Sequence, residues 1–309
     1  MKFNKPAVTL PEQLEILKSR GLLINCDSSA TSILENIGYY RFSAYSHPFR
    51  HGAERNTFKE GTTIEQIIRI YDFDRELRLL ITDAIERIEI AMRARVVNQT
   101  SVHFNDPHWF MNPVNFHPQF HHSTFLNKLE RSLEIKRDKV TGARVLPTSH
   151  PETFIEHYYH TYGDPYLPPA WMAAEVLSLG SLSRVYQGIG PSLLKQSIAA
   201  PFGVPAKILS KWLHSLAHLR NVCAHHGRIW NRIFSISPPN ANIHKGVITT
   251  PKRLDGQLIV LLSILDVCSP NHHWRDKFKA LTIAYPEVDH SVMGFPTNWQ
   301  DKPIWQNTH

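Results

Sequence analysis

The stretch LRLLITDAIERIEIAM, residues 77–92, decides the fold of this chain. Apolar side chains recur in it every three or four residues, which is the period of an α-helix with one buried face. They are Leu77, Ile81, Ala84, Ile85, Ile88, Ala91 and Met92. Opposite charges three or four residues apart occupy the other faces, as on a solvated helix. The pattern predicts a helix over about residues 62–98, capped by Thr62 or Thr63.

Shorter helical patterns surround this segment. They cover residues 10–23, 28–37, 123–139, 152–162, 169–179, 181–188, 195–200, 206–226 and 255–267. No run of alternating apolar and polar residues indicates a sheet, so the predicted class is all-α. Segment 101–122, rich in Pro, Asn and His, is predicted to be irregular, and 140–151 to be a loop. We expect the last forty residues to wrap over the surface.

Composition limits the classes of protein to consider. With 309 residues and 42% hydrophobic side chains, the chain is long and apolar enough for a globular core. The net charge of +7 favours an anionic partner, nucleic acid before membrane, and ordinary surface charge is the alternative. Cys26, Cys223 and Cys268 are scattered, so we expect a reducing cytoplasm and no disulfide framework. No signal peptide or membrane span is expected.

The stretch RNVCAHH, residues 220–226, ends the helical pattern 206–226. One polar stripe of that helix consists of His214, His218, Asn221 and His225. Arg220 falls at the border of the buried face, where an arginine needs an acidic partner or a ligand. Gly227 is predicted to stop the helix, which places His225 in its last turn, where the helix dipole favours an imidazolium.

An arginine, an amide and a histidine in such proximity favour chemistry on a phosphodiester, RNA foremost. Arginine binds phosphate through a rigid fork of donors, and histidine moves protons near neutral pH. The alternative is that Arg220 pairs with a carboxylate of the 62–98 helix and His225 merely ends its own. His214 and His218 have the spacing of helical zinc ligands, but His225 lies two turns on, so no metal or cofactor is expected.

Three further groups have both a functional and a structural interpretation. The aromatic segment 39–45 offers rings for base stacking, with Arg41 on phosphate, and core packing is the alternative. Four acids on the long helix suggest catalytic carboxylates, but their alternation with arginines favours salt-bridged faces. They are Asp72, Asp74, Glu86 and Glu89. Cys223 lies on the apolar stripe, so packing is favoured over nucleophilic catalysis.

Several segments together form a pattern found in a known family. They are residues 5–6, 12–14, 34–45, 49, 70–78, 86–89, 212–213, 219–225 and 230–231. In these segments, over about residues 5–235, the chain resembles the bacterial Abi proteins of the AbiD/AbiF type, associated with abortive infection by phage. The motifs YYRFSAY and YDFDRELR are specific in combination, whereas RNVCAH alone is not.

That family is similar to the HEPN superfamily, helical ribonucleases whose active-site pattern is Arg, four to six residues, then His. Arg220 and His225 match the pattern, with Asn221 in the polar position after the arginine. The resemblance implies metal-independent RNA cleavage where two motifs meet, and one copy per chain implies a homodimer. It implies an N-terminal helical segment (1–60) packed on a HEPN-like bundle (61–235). Residues 236–309 lie outside the resemblance, and their composition predicts an irregular loop and helix extension.

We therefore expect a cytoplasmic, metal-independent endoribonuclease of a phage-defence or toxin-type system. A ribose 2′-OH attacks the adjacent phosphorus to give a 2′,3′-cyclic phosphate, with His225 as acid or base, Arg220 on the phosphoryl oxygens and Asn221 orienting the imidazole. The predicted RNA contacts are Arg41, His214, His218 and Arg228. One alternative is a non-catalytic RNA-binding protein that holds a small non-coding RNA or senses a phage product, and another is a scaffold for protein partners.

Overall fold

A computed structural model gives the fold and describes residues 2, 6–52, 56–135, 138, 140–142 and 153–306. Those residues form twelve α-helices, so the predicted all-α class is confirmed. The helices are α1 (Leu10–Ser19), α2 (Asp27–Ile37), α3 (Tyr39–Ser46), α4 (Ile64–Phe104), α5 (His122–Ser132), α6 (Phe154–Thr161), α7 (Ala170–Ala173), α8 (Leu179–Gly188), α9 (Ser192–Ala199), α10 (Ala206–Ala224), α11 (Leu254–Cys268) and α12 (Trp274–Ala284). A small antiparallel sheet, β1 (Arg50–His51) with β2 (Thr57–Phe58), was not predicted.

The central element is α4, which at 41 residues is about 60 Å long. Its start confirms the predicted cap: the Thr63 hydroxyl accepts from the Gln66 amide at 3.3 Å, and the Gln66 side chain accepts from the Thr63 amide at 3.1 Å. The helix runs past residue 98 and stops where Asn105 takes a left-handed conformation. Every predicted core residue from 77 to 92 is buried except Ala91, which is half-buried.

Most of the fold is built on this helix. Helices α3, α7, α9, α10, α11 and α12 all pack against α4. Helix α10 lies between α4 and α8 and also contacts α9 and α11, and its buried face includes Trp212, Leu216 and Leu219. In the described part of the chain, no helix combines the length and apolar character that a membrane span requires.

Several predicted boundaries need correction. The first helix ends at Ser19, before Gly21, and the second begins at Asp27 after Cys26, so neither Ser28 nor Ser29 caps it. The charged helix predicted for 123–139 ends at Ser132. Helix α3 was not predicted, because its aromatic composition carries no clear helical stripe. Within the predicted loop 140–151, residues 143–151 lie outside the described residues, as does Lys5 of the family pattern.

The expectation that the last forty residues wrap over the surface is wrong. Trp274 and Phe278 of α12 stack at 5.4 Å between ring centroids, and Phe295, Trp299 and Trp305 close over them as a buried cluster. The aromatic area buried there outweighs the many prolines and histidines of the segment, which made it resemble a surface loop.

Candidate functional site

Helix α10 ends in a turn that fixes its last side chains. His225 caps the helix, and His226 takes a left-handed conformation with φ of 55°. The amide of His226 donates to the carbonyl of Cys223 at 2.9 Å, and that of Gly227 to the carbonyl of Val222 at 2.8 Å. This is a Schellman motif, in which the left-handed residue follows the cap. The prediction that Gly227 stops the helix is therefore wrong by one residue.

Gly227 has a different role in the same turn. A Cβ atom at this position would lie 3.0 Å from the Val222 side chain and 3.1 Å from its carbonyl oxygen. The absence of a side chain thus lets the chain pass close to the last turn of the helix as it leaves it.

The candidate catalytic residues lie on two sides of this helix end. Asn221 and His225 are exposed and, four residues apart, share one face. Arg220 is half-buried and lies five residues before His225, which is a rotation of about 140° around the helix axis. The structure thus presents the amide and the imidazole to solvent, with the arginine at the edge of the packed face.

The Arg220 guanidinium has no hydrogen bond or ion pair with any residue that the structure describes. Two of the four candidate carboxylates of α4 pair elsewhere: Asp74 with Arg78, and Glu89 with Arg93 at 3.3 Å. Since the Arg220 guanidinium bonds to none of these acids, the alternative that an acid of α4 neutralises it is wrong, and the salt-bridged interpretation is favoured for Asp74 and Glu89. The Arg220 guanidinium keeps its donors for another group.

A fully buried carboxylate, Asp74 of α4, holds the chain that leaves α10. One oxygen accepts from the backbone amides of Ile229 at 3.0 Å and Trp230 at 2.6 Å. The other accepts from the Tyr45 hydroxyl at 2.6 Å and from the Arg78 guanidinium. Burial raises the pKa of the Asp74 carboxyl, and the Arg78 guanidinium with these donors opposes the rise. Because all four partners donate, the arrangement suits an ionised carboxylate.

Two arginines connect the same turn to α3. Arg41 of α3 donates to the carbonyl of His226 at 2.5 Å, and Arg228 donates to the carbonyl of Ala44 at 2.5 Å. Both were predicted to contact RNA, and the structure shows that each first positions backbone. A guanidinium carries five N–H donors, so an RNA contact by either residue stays a prediction.

Sequence reasoning missed the positioning role of Asp74 and of its partner Tyr45. The contact between Asp74 and Trp230 spans 156 residues, and no local spacing reveals it. The one available signal was that the segments 39–45, 70–78 and 219–225 of the family pattern are far apart in sequence, which is expected when they meet in space.

The other polar residues of α10 differ in environment. His214 is exposed, whereas His218 is half-buried and its Nε2 lies 3.3 Å from the Ser235 hydroxyl. Burial, together with Arg232 and His214, lowers the pKa of His218. Cys223 is buried, and burial raises the pKa of its thiol to about 12, so the packing interpretation is favoured over nucleophilic catalysis. Within the described ranges, no three His, Cys, Asp or Glu side chains form a group that could hold a metal ion.

The solvent side of α10 forms a basic stripe about 27 Å long. Its residues are Lys207, Lys211, His214, His218, Asn221 and His225. All but the half-buried His218 are exposed, and the helix contains no Asp or Glu. An extended anion therefore meets a continuous face of donors that ends at His225.

The family comparison covers this whole arrangement. A family model described as Abi-like protein matches residues 32–231, which is more than half of the chain and includes α3, α4 and α10. No match was found among the curated proteins or among the solved structures.

Proposed function

The chain belongs to the Abi-like protein family, and we propose that it is a HEPN-type endoribonuclease of the AbiD/AbiF group. The family suggests a role in abortive infection or phage defence. The observation that carries the nuclease proposal is the end of α10. There Arg220 lacks a carboxylate partner among the described residues, and Asn221 and His225 are exposed to solvent.

The reaction that suits these groups is internal transesterification of RNA. The ribose 2′ oxygen loses its proton and bonds to the adjacent phosphorus, the bond from phosphorus to the 5′ oxygen breaks, and that oxygen takes a proton. His225 carries out one of the two proton transfers, and Asn221 orients it. Arg220 stabilises the charge on the non-bridging oxygens. The products are a 2′,3′-cyclic phosphate and a 5′-OH.

We propose a homodimer as the active form. Because Arg220 and His225 lie about 140° apart on one helix, a single helix end presents them in different directions. A second copy of the motif brings another arginine and histidine to the same phosphate. Sedimentation of the purified protein tests this part: full cleavage activity in a preparation that is entirely monomeric would contradict it.

The Asp74, Arg41 and Arg228 contacts support the proposal through preorganisation. They hold the turn after α10 to α3 and α4, so His225 is presented by a fixed backbone. A catalytic group held in place by its surroundings loses less freedom when the substrate binds.

The decisive experiment is cleavage of end-labelled tRNA and mRNA in the presence of EDTA. We expect wild-type protein to cleave, and His225→Ala and Arg220→Ala to lose at least about 100-fold in rate. That is the lower range for a lost acid or base and for a lost group that stabilises charge in the transition state. His160→Ala, which removes an exposed histidine of α6, is the matched control and should cleave normally. A substrate with 2′-deoxyribose at the cleaved position should resist.

The proposal fails if both substitutions in α10 leave cleavage and toxicity unchanged. It also fails in its metal-independent form if EDTA abolishes the wild-type activity. Cleavage of the 2′-deoxy substrate at the normal rate would overturn the proposed chemistry while leaving a nuclease in place.

A second candidate function is RNA binding without cleavage, of a small non-coding RNA or of a phage product. The basic stripe of α10 favours it, because a face about 27 Å long without acids suits a phosphate backbone whatever the last residue of the stripe does. Salt-dependent binding without product formation would select this candidate. The slope of log K for RNA binding against log salt concentration (the salt slope) should then fall in magnitude by about 0.7 to 0.9 in each of Lys207→Ala and Lys211→Ala. Each substitution removes one lysine that neutralises a phosphate.

A further inference from the structure

A cleft of about 720 Å³ lies between α5 and α8, and it is lined by none of Arg220, Asn221 and His225. We propose that this cleft binds a nucleoside phosphate, as a second site separate from the end of α10. Its volume falls within the range of about 300–1,000 Å³ that is usual for small-molecule sites. The proposal does not depend on the nuclease activity.

The charge of the cleft is one-sided. Lys128 of α5, Arg184 of α8 and Lys195 of α9 line it, and His117 and His121 add two imidazoles. Among the described residues of its lining, none is acidic. The field in the cleft therefore favours an anion, and guanidinium and ammonium groups are those with which proteins bind phosphate.

Most donors of these cations are not used by the described part of the protein. Lys128 and Arg184 are exposed, and neither side chain bonds to any part of the chain that the structure describes. Among the described residues, the Lys195 ammonium reaches only the carbonyl of Gln187, at 3.5 Å. A phosphate in the cleft thus meets three cations that need not first break an ion pair.

The floor of the cleft is aromatic. Phe120 and Phe125 line it with ring centroids 5.7 Å apart, and Phe120 stacks on Phe116 at 4.5 Å. A Cβ atom at Gly188 would come within 2.3 Å of the Phe120 ring, so glycine at the end of α8 is what lets the ring lie there. Nucleobases stack on such rings, because every base has a π face.

The backbone around the floor is fixed before any ligand arrives. The His117 amide donates to the Gly188 carbonyl at 2.7 Å, and the Gly190 amide to the Asn115 carbonyl at 2.9 Å. These bonds join the turn before α5 to the end of α8. A preformed wall reduces the free energy that binding must spend on ordering.

Charge and aromatic floor together select the ligand class. A bare anion would use the three cations and leave the rings without a role, and an acidic peptide supplies no flat group to stack. A nucleoside phosphate uses both, while the amides of Gln119 and Gln187 lie in the lining for a base edge or a ribose hydroxyl. The nucleotide is either free or part of an RNA chain.

Calorimetry on the full-length protein tests the site. The ligands are AMP, GMP, CMP, UMP and ATP, with adenosine, inorganic phosphate, an oligoglutamate peptide and a single-stranded RNA tetranucleotide for comparison. We expect Arg184→Ala and Lys128→Ala each to raise Kd by about tenfold or more, the loss of one charge-assisted hydrogen bond. Arg131→Ala removes an exposed cation of α5 outside the cleft and is the matched control.

The two sources of the nucleotide give different results. Mononucleotide binding that both cleft variants weaken, and Arg131→Ala does not, supports a free nucleotide. The same variant pattern with the tetranucleotide alone supports a nucleotide within RNA. Circular dichroism of each variant checks that the fold is retained, and Arg184→Lys, which keeps the charge, should bind better than Arg184→Ala.

Four results would overturn the proposal. They are no binding of any mononucleotide or of the tetranucleotide at millimolar concentration, phosphate binding as tight as that of the nucleotide ligand, binding of oligoglutamate in place of nucleotides, and an equal loss of affinity in Arg131→Ala. None of them bears on cleavage by Arg220 and His225, so failure here and failure of the nuclease proposal are distinguishable.

Discussion

In the part of the chain that the structure describes, two carboxylates are fully buried, and their surroundings are opposite. Asp74 on α4 accepts four hydrogen bonds, one of them from the Arg78 guanidinium. Asp255 in the first turn of α11 has no hydrogen-bond partner for either oxygen among the described residues. Burial raises the pKa of the Asp255 carboxyl to about 7, and only Lys302 opposes the rise.

The comparison shows that burial alone does not decide whether a carboxylate stabilises or destabilises the fold. At Asp74 the free energy of desolvation is offset by donors that also join α3, α4 and the chain after α10. At Asp255 nothing in the described residues offsets it, so the carboxyl is protonated over much of the acidic range. The first carboxylate should stabilise the candidate site, and the second should destabilise the fold once ionised.

The largest expected effect is that of Asp74→Ala. Removing one partner of a buried ion pair leaves Arg78 uncompensated and two amides unbonded, so we expect a loss of about 3–5 kcal/mol in the free energy of unfolding. Urea unfolding measures it, with Asp83→Ala as the control. Asp83 is an acid of the same helix, paired with Arg87 at 3.1 Å on the surface, and its loss should change stability by less than about 1 kcal/mol.

Equal urea midpoints for Asp74→Ala and wild type would break the comparison. A fold that survives with the predicted loss should still cleave RNA more slowly, because Ile229 and Trp230 are released from α4 and the turn presenting His225 loosens.

Next in size is the effect of Asp255→Asn, and it depends on pH. The folded protein holds a proton on Asp255 between the ordinary pKa of 3.8 and about 7, whereas the unfolded chain does not. Stability contributed by this group is therefore present below 3.8 and is lost as the pH rises through about 7. Between these two pH values the free energy of unfolding of the wild type should fall by up to about 4 kcal/mol, whereas that of Asp255→Asn should not show this fall.

Unfolding titrations of both proteins at pH 4, 6 and 8 test this prediction. The free energy of unfolding of Asp255→Asn, relative to that of the wild type, should increase from pH 4 to pH 8. A constant difference between the two proteins at all three values would show that Asp255 is ionised throughout and that the contrast with Asp74 is absent.

The sequence predicts features that depend on local patterns, but not contacts such as those of Asp74 between distant segments. The period of residues 77–92 gave the central helix, and the stripe of α10 placed Asn221 and His225 together, because both are local patterns. The role of Asp74 was missed, since its partners Tyr45 and Trp230 are distant in sequence. In the sequence, every acid that lies among arginines on a helix resembles a member of a surface ion pair. Only the packed structure shows which of these acids is buried.

The intrinsic preferences of the residues led to a wrong prediction at two places. The end of α10 was predicted at Gly227, the usual left-handed residue, but His226 takes that conformation and Gly227 serves close approach instead. In the last forty residues, Pro and His suggested a surface segment, whereas Trp299 and Trp305 are buried. In both cases a tertiary contact outweighed the intrinsic preference of the residues.

A smaller effect is expected from the two arginines that share the turn with Asp74. Arg41→Ala and Arg228→Ala each remove a hydrogen bond to a partly exposed carbonyl, so we expect each to lower the free energy of unfolding by about 1 kcal/mol. Hydrogen exchange of the His226 and Gly227 amides should accelerate, which a role limited to RNA contact would not produce. The control is Arg87→Ala, an exposed arginine of α4.

Either result sharpens the comparison with Asp74. Faster exchange with slower cleavage assigns the arginines to positioning. Unchanged exchange with slower cleavage and a smaller salt slope of RNA binding assigns them to RNA, as the sequence predicted, and leaves Asp74 as the group that holds the turn.

The smallest effect concerns strain in the conformation that Asp74 and Arg41 hold. His226 has φ of 55°, which a residue with a Cβ adopts at a cost and glycine does not. We expect His226→Gly to raise the free energy of unfolding by no more than about 1 kcal/mol, because glycine also frees the unfolded chain. His226→Ala loses the same imidazole but keeps the strain, so it is the matched control. If the glycine variant unfolds at a lower urea concentration than the alanine variant, the turn is not strained, and the bonds to Asp74 and Arg41 hold a conformation that the chain adopts readily without them.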